Sequence, residues 1–245
     1  MKDLKTRFIS WILICCAIIF MGCKGPEKGT DSSFLIKSKS MSINTSDFLE
    51  ELDLKRVAYP YDIDENSVRY NEMVMDLVQT LSNEILLLTA AADKGVTITN
   101  QEIIAAEDEF KKDYREGSFE QILLKNAISY SLWKKRFMEN MIMDKFIDQE
   151  LKQKIEITPQ GIVTFYKKHQ SSYNQKNHEY SFGLNPIDNE KKLVSHLRLQ
   201  KAQDHYDDWM QKLLKEYPVQ INKEKLKTFL IDIEKSEGSK HEKEN

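Results

Sequence analysis

Three cysteines among 245 residues are too few for a disulfide framework, and two of them, Cys15 and Cys16, lie inside an apolar run at the N-terminus. A chain cleaved after that run keeps Cys23 alone, with no second thiol to pair with and no cysteine-based metal site. Glycine is also scarce, with eight in the whole chain. There is no Gly-rich phosphate loop, no nucleophile elbow and no His-Glu-x-x-His motif, so the chemistry those motifs support has no visible carrier. His169, His178, His196 and His205 sit among lysines without an i, i+4 acidic partner on a clear face, which reads as solvated histidine rather than a metal set. Asp204, Asp207 and Asp208 read as the wet side of a helix beside Tyr206 and Trp209. No cofactor is expected.

The one long hydrophobic run, residues 8–21, is shorter than the roughly twenty apolar residues of a comfortable membrane span. Lys2, Lys5 and Arg7 precede it, and Gly22-Cys23 close it, an order that resembles a bacterial lipoprotein export signal, whose processed N-terminus would be a lipid-bearing Cys23; the alternative is a plain signal peptide or an uncleaved anchor. The formal net charge is −3, and losing Lys2, Asp3, Lys5 and Arg7, together +2, leaves −5. Nothing in that balance attracts nucleic acid. With 40% hydrophobic residues the chain can bury a real core, while 31% charged residues imply wide solvated faces.

Residues 23–33 read as a polar tether. Two short strand-like runs, residues 34–36 and 41–43, precede a helix capped by Thr45-Ser46-Asp47. Val74, Leu77, Val78, Leu81, Ile85, Leu88 and Ala92 then recur at three- and four-residue steps, predicting a long amphipathic helix that Gly95 stops. Thr99 with Glu102, and Ser118 with Gln121, are capping-box patterns before further helices. Ser129 precedes a stripe through Leu132, Trp133, Phe137, Met141 and Phe146. Residues 155–157 alternate like a strand, Thr158-Pro159 restarts a helix, and residues 171–189 lose all periodicity. Leu199, Ala202, Tyr206, Trp209, Leu213 and Tyr217 mark a last long helix, followed by a strand-like Val219-Gln220-Ile221 and a charged tail expected to be disordered.

The order of these pieces resembles a known family. A strand pair leads into Thr45-Ser46-Asp47-Phe48; a long helix ends in the Leu-rich run 84–96 with Lys94-Gly95; Thr99-x-x-Glu102, Ile128-Ser129-x-x-x-Trp133, Ile155-Glu156-Ile157-Thr158-Pro159 and Phe165-Tyr166 follow. The arrangement is similar to the SurA-type periplasmic chaperones and the related PrsA-like foldase lipoproteins. It covers about residues 34–173 and, less strongly, 202–221. In that family a parvulin prolyl isomerase domain separates the two parts. Here about twenty residues join them, with no Gly-Gly loop, no set of strands and no paired histidines to build one. Two further departures are Gly161, where the family carries an acidic residue, and Lys37-Ser38-Lys39-Ser40 in place of a Val-Asn-Gly turn.

The resemblance implies a mainly α, SurA N-terminal-domain-like helical module with a small strand pair, closed by a long C-terminal helix. The expected domains are a signal peptide at 1–22, the tether at 23–33, a helical domain at 34–175, a connector at 176–192, a helix and strand completing the same domain at 193–228, and a disordered tail at 229–245. The implied function is a lipid-anchored, ATP-independent holdase without isomerase activity. Its partners would be unfolded or partly folded envelope proteins and, through the lipid, the membrane. It would face the periplasm, with the outer membrane favoured over the inner. The alternative is an accessory lipoprotein gripping one dedicated partner. Met73, Met75, Met138 and Met143 are candidate client contacts, because methionine adapts to irregular surfaces.

Overall fold

The computed structural model describes residues 34–115, 117–180 and 186–232. Cys23, the signal-like segment and the tether lie outside the described residues, as does the tail beyond residue 232. The fold is mainly helical, with one small three-stranded sheet in the order β2-β1-β3. The central strand β1 (Phe34–Lys37) pairs antiparallel with β3 (Gln220–Ile221), Ile36 facing Ile221 and Lys37 facing Gln220. Its Leu35 and Ile36 are both fully buried, one on each face as period-2 geometry requires. The loop to β2 (Ser42–Asn44) is the Lys37–Ser40 departure noted above. Polar side chains fix it: Ser38 Oγ lies 2.6 Å from Thr89 Oγ1 and Ser40 Oγ donates to the same hydroxyl at 3.4 Å.

Helix α1 (Thr45–Arg56) is capped by Asn44, not by the Thr45-Ser46-Asp47 trio. Asn44 Oδ1 accepts from the amides of Ser46 and Asp47 at 2.7 and 3.0 Å, and Asp47 accepts from the Asn44 amide in return. The Asn44 side chain reaches forward to the first free amides of the helix and that of Asp47 reaches back, the two halves of a capping box. Helix α2 (Ser67–Asp93) ends in a Schellman motif: Gly95 takes φ +69°, its N–H donates to Ala92, and Val96 N–H donates to Ala91.

Helices α3 (Asn100–Lys111), α4 (Ser118–Lys125) and α5 (Tyr130–Glu150) follow. Thr99 and Glu102 form the reciprocal capping box that their spacing predicts, and Ser129 caps α5. The Ser118–Gln121 box does not form; Gly117 stands at the cap with φ +74°, and Ser118 Oγ donates instead to the Arg115 carbonyl. A 3-10 turn (Lys152–Lys154) precedes residues 155–157, which join no strand among the described residues. The sheet's edges are β2 and β3, and residues 155–157 pair with neither.

Helix α6 (Pro159–Tyr180) runs through the first part of the expected connector, and α7 (Pro186–Glu216) begins inside it, so only residues 181–185 separate the two helices. Polar composition hid both ends, because a sequence without an apolar stripe shows no helical period. After β3, α8 (Lys223–Lys227) buries Leu226. The expected disordered tail starts later than residue 229: Phe229, Leu230 and Ile231 pack on the core, which their apolar side chains make favourable.

Two cores result. The first gathers Leu35, Ile36, Phe48, Leu52, Ile63 and the part of α2 from Tyr70 to Ile85, with Leu226. The second joins Leu86, Leu87, Ala90 and Ala91 of α2 to Phe146 of α5 and to Met210, Leu213 and Tyr217 of α7. Helix α2 thus lines both, which accounts for its 27 residues. Burying Phe146 completely contributes about 2–3 kcal/mol. Trp209 packs against it with ring centroids 5.8 Å apart.

Candidate functional site

Helix α5 presents different chemistry on two faces, and both faces border open surface. At 100° per residue Leu132, Lys135, Arg136 and Glu139 share one side, while Tyr130, Trp133 and Phe137 share another about two-fifths of a turn away. The first side walls a groove of about 160 Å³ that α2 and the start of α1 complete. Its floor is apolar, with Met41, Ile43, Leu81 and Leu88, and its rim is charged. Arg136 pairs with Glu51 across the rim. Burial, and then the like charge of Glu139, hold the Glu84 carboxyl above the usual carboxylate range.

The second side of α5 meets α3 and α4 in an aromatic stack. Trp133 lies on Phe137 with centroids 5.0 Å apart and planes 18° from parallel, and Phe119 meets Trp133 edge-on at 4.8 Å. Phe110 touches Tyr114, Phe119, Trp133 and Phe137 and yet remains 39% exposed. No further element covers this stack among the described residues. Leu124 of α4 stands 81% exposed and Ile122 nearly half so. Beneath the rings, Glu107 is almost fully buried and accepts hydrogen bonds from Lys111 at 2.8 Å, Lys134 at 3.2 Å and the Tyr130 hydroxyl. Burial pushes its carboxyl upward, but these three donors outweigh burial and bring the pKa down to about 2. Lys111 also sits 4.9 Å over the Phe119 ring. Glu107 therefore joins α3 to α5 and holds the stack in place.

The candidate methionines scatter. Met73 is 1% exposed on the inner face of α2, inside the first core, so it offers no surface to a partner. Met75, two residues on, points away and is exposed. Met143 is partly buried against the second core, because it shares the face of Phe146 rather than that of Trp133. Met138 is partly buried. The four do not converge. The aromatic stack was the feature that sequence reading passed over, although six aromatic residues between positions 110 and 137 signal it.

Between the end of α5 and α7 lie two further hollows. One, about 380 Å³, sets Trp209 among Glu150, Lys154, Lys201, His205 and Asp208. The other, about 220 Å³, is lined by Ile147, Leu151, Leu199, Ala202 and Tyr206. Asp204, Asp207 and Asp208 are all exposed, and His169 Nδ1 lies 2.9 Å from the Phe165 carbonyl. The side chain of His178 lies outside the described residues. Among the described residues no group of three His, Cys, Asp or Glu side chains is spaced to hold a metal ion. No described helix is long and apolar enough to cross a membrane.

No family model and no curated protein matches the chain. A solved chain described under the virulence factor PEB4 and the periplasmic protein Cj1289, two structurally related SurA-like chaperones of Campylobacter jejuni, is similar over 78% of this chain and 100% of that one. The sequence identity is 9% and the TM-score 0.49.

Proposed function

We propose that this chain is an ATP-independent holding chaperone of the SurA type, carried on the bacterial envelope by a lipid on Cys23 and facing the periplasm, that captures unfolded or partly folded envelope proteins. The observation that carries the proposal is the open aromatic stack on α3–α5, a preformed apolar surface fixed from below by Glu107. Residues 34–175 and 193–228 act in this reading as one domain, with α6 and α7 meeting where the resembling family inserts its isomerase. The protein catalyses nothing; it lowers the free concentration of aggregating chains by binding them.

Magnitudes set the style of binding. A Kd of 1 μM corresponds to about 8 kcal/mol, and association itself costs at least about 4 kcal/mol, so capture needs roughly 500 Å² of newly buried apolar area at about 25 cal/mol per Å². The wet rims of a few rings supply only part of that. A client must therefore lie across more than one apolar surface, the α5 groove being the nearest.

The test is suppression of aggregation of several unrelated unfolded proteins by the purified protein, together with Phe110→Ser, which should weaken suppression several-fold while leaving the urea transition cooperative. Failure with every client, against stoichiometric capture of one envelope protein, would instead favour the accessory lipoprotein. Acceleration of cis/trans exchange in a proline peptide would overturn the non-catalytic reading.

A further inference from the structure

Downstream of α8 the chain stops forming regular structure but does not leave the surface. Residues 228–230 make turns, Phe229 N–H donating to Leu226 and Leu230 N–H to Lys227, and residues 231 and 232 belong to neither helix nor strand. The segment nevertheless lies on α1 and α2. The Phe229 ring meets Phe48 edge-on, centroids 4.8 Å apart and planes at 68°. The main chain of Ile231 is held by one side chain while its own side chain packs on the first core: its N–H donates to Asn71 Oδ1 at 2.9 Å, and its carbonyl accepts from Asn71 Nδ2 at 2.8 Å. Phe229, Leu230 and Ile231 remain only partly buried, whereas Phe48 beneath them is fully buried.

A carboxamide that accepts from one residue's N–H and donates to the same residue's C=O copies the pairing a neighbouring strand would offer. It grips a backbone and ignores the side chain. Placed beside an aromatic wall, such an amide recognises an apolar stretch of polypeptide with little demand on its sequence, since main-chain bonds supply the hold and the wall supplies the preference for rings and branched side chains. The two groups come from α1 and α2, both far upstream of the segment they hold.

We infer that the α1–α2 groove at Asn71 and Phe48 is a peptide-binding site for apolar segments of unfolded polypeptide, and that residues 228–232 of this chain occupy it as an internal stand-in. The identity of the ligand as an unfolded client rests on the holding-chaperone reading; the groove itself does not. Because the stand-in is tethered, its effective concentration is of millimolar order, so an external segment gains access in proportion to the fraction of time the strap is released. Weakening the strap without touching the groove must therefore raise affinity for an external peptide.

The experiment uses the full chain and a fluorescein-labelled peptide of residues 227–233, read by anisotropy. Phe229→Ala removes the strap's ring and leaves Phe48 and Asn71 intact; it should bind the probe roughly ten-fold more tightly than the unsubstituted chain, the factor expected for losing an edge-on ring pair and part of its burial. Adding Asn71→Ala should abolish that gain. A Phe229→Ala chain that binds no more tightly, or a gain that survives Asn71→Ala, overturns the inference. On the unsubstituted chain, excess unlabelled peptide should speed hydrogen exchange at the Ile231 amide, and unchanged exchange overturns the inference even where Phe229→Ala does not fold. The two proposals separate cleanly. If the chain suppresses no aggregation while the Phe229→Ala gain holds, the holding reading falls and the groove stands; the reverse pair of results removes the groove alone.

Discussion

The Tyr217 hydroxyl donates to Asp93 Oδ2 at 2.9 Å, tying the end of α7 to the end of α2 across 124 positions of sequence. Tyr217 is buried, and burial first, then the hydrogen bond and charge of Asp93 with those of Glu216, push its phenol well above its ordinary value of 10.0. The folded state thus prefers the protonated phenol. Its contribution is fully present below about pH 10 and is lost as pH rises beyond that. Tyr217→Phe should cost about 1 kcal/mol at pH 7, a modest figure because Asp93 is half exposed. The urea midpoint measured from pH 7 to 11 checks both parts, since the variant should lose less stability than the parent on the alkaline side.

Glu107 works at the opposite end of the pH scale. Its folded pKa, about 2, lies below its ordinary 4.5, so its contribution is present above about pH 4.5 and disappears as pH falls toward 2. Trp133 stacks on Tyr130, one of the Glu107 donors, at 5.7 Å. Tryptophan fluorescence should therefore change over that interval. Glu107→Gln should flatten the acid limb and lower stability at pH 7 by about 1–2 kcal/mol, discounted because Lys111 and Lys134 are about a third exposed.

Ala127 ends α4 in the left-handed region, at φ 54°, where it closes a Schellman motif through Ile128 N–H to the Leu123 carbonyl. A Cβ in that conformation costs about 1 kcal/mol. Ala127 is exposed, so its methyl packs against little. Ala127→Gly should raise the urea midpoint, or at least leave it no lower once the added chain entropy of glycine is counted.

Cys23→Ser should abolish acyl labelling and shift the protein from the membrane to the soluble fraction, because each buried acyl methylene contributes about 0.8 kcal/mol to membrane partition. Unchanged labelling and fractionation would remove the lipid anchor from the proposal.

Features set by neighbours in sequence were the legible ones. The length of α2, its glycine stop, the Thr99–Glu102 box and the Ser129 cap all follow from residues within a few positions of one another. What eluded reading depends on distant partners. The apolar residues of α5 divide between two faces because Phe146 meets α7 while Trp133 meets α3 and α4, and a single stripe merged them. Residues 155–157 alternate like a strand but pair with no strand of the sheet. Residues 229–231 looked like the start of a tail, because nothing near them in sequence shows that Asn71, 160 positions earlier, will hold them. The candidate site suffered most for this reason. Its rings come from three helices, and the candidate methionines do not converge on them.

The sharing of α2 between two cores bears on when the protein can fold. The first core takes in Leu226, and the second Met210, Leu213 and Tyr217. Neither half can close from the N-terminal side alone, however long α2 has waited. A chain emerging from a ribosome or threading a translocation channel stays incomplete until residues 210–226 are free, and then both halves complete together. Such a timetable keeps the polypeptide pliable throughout synthesis and any passage through a narrow pore, and makes its last segments the trigger of assembly.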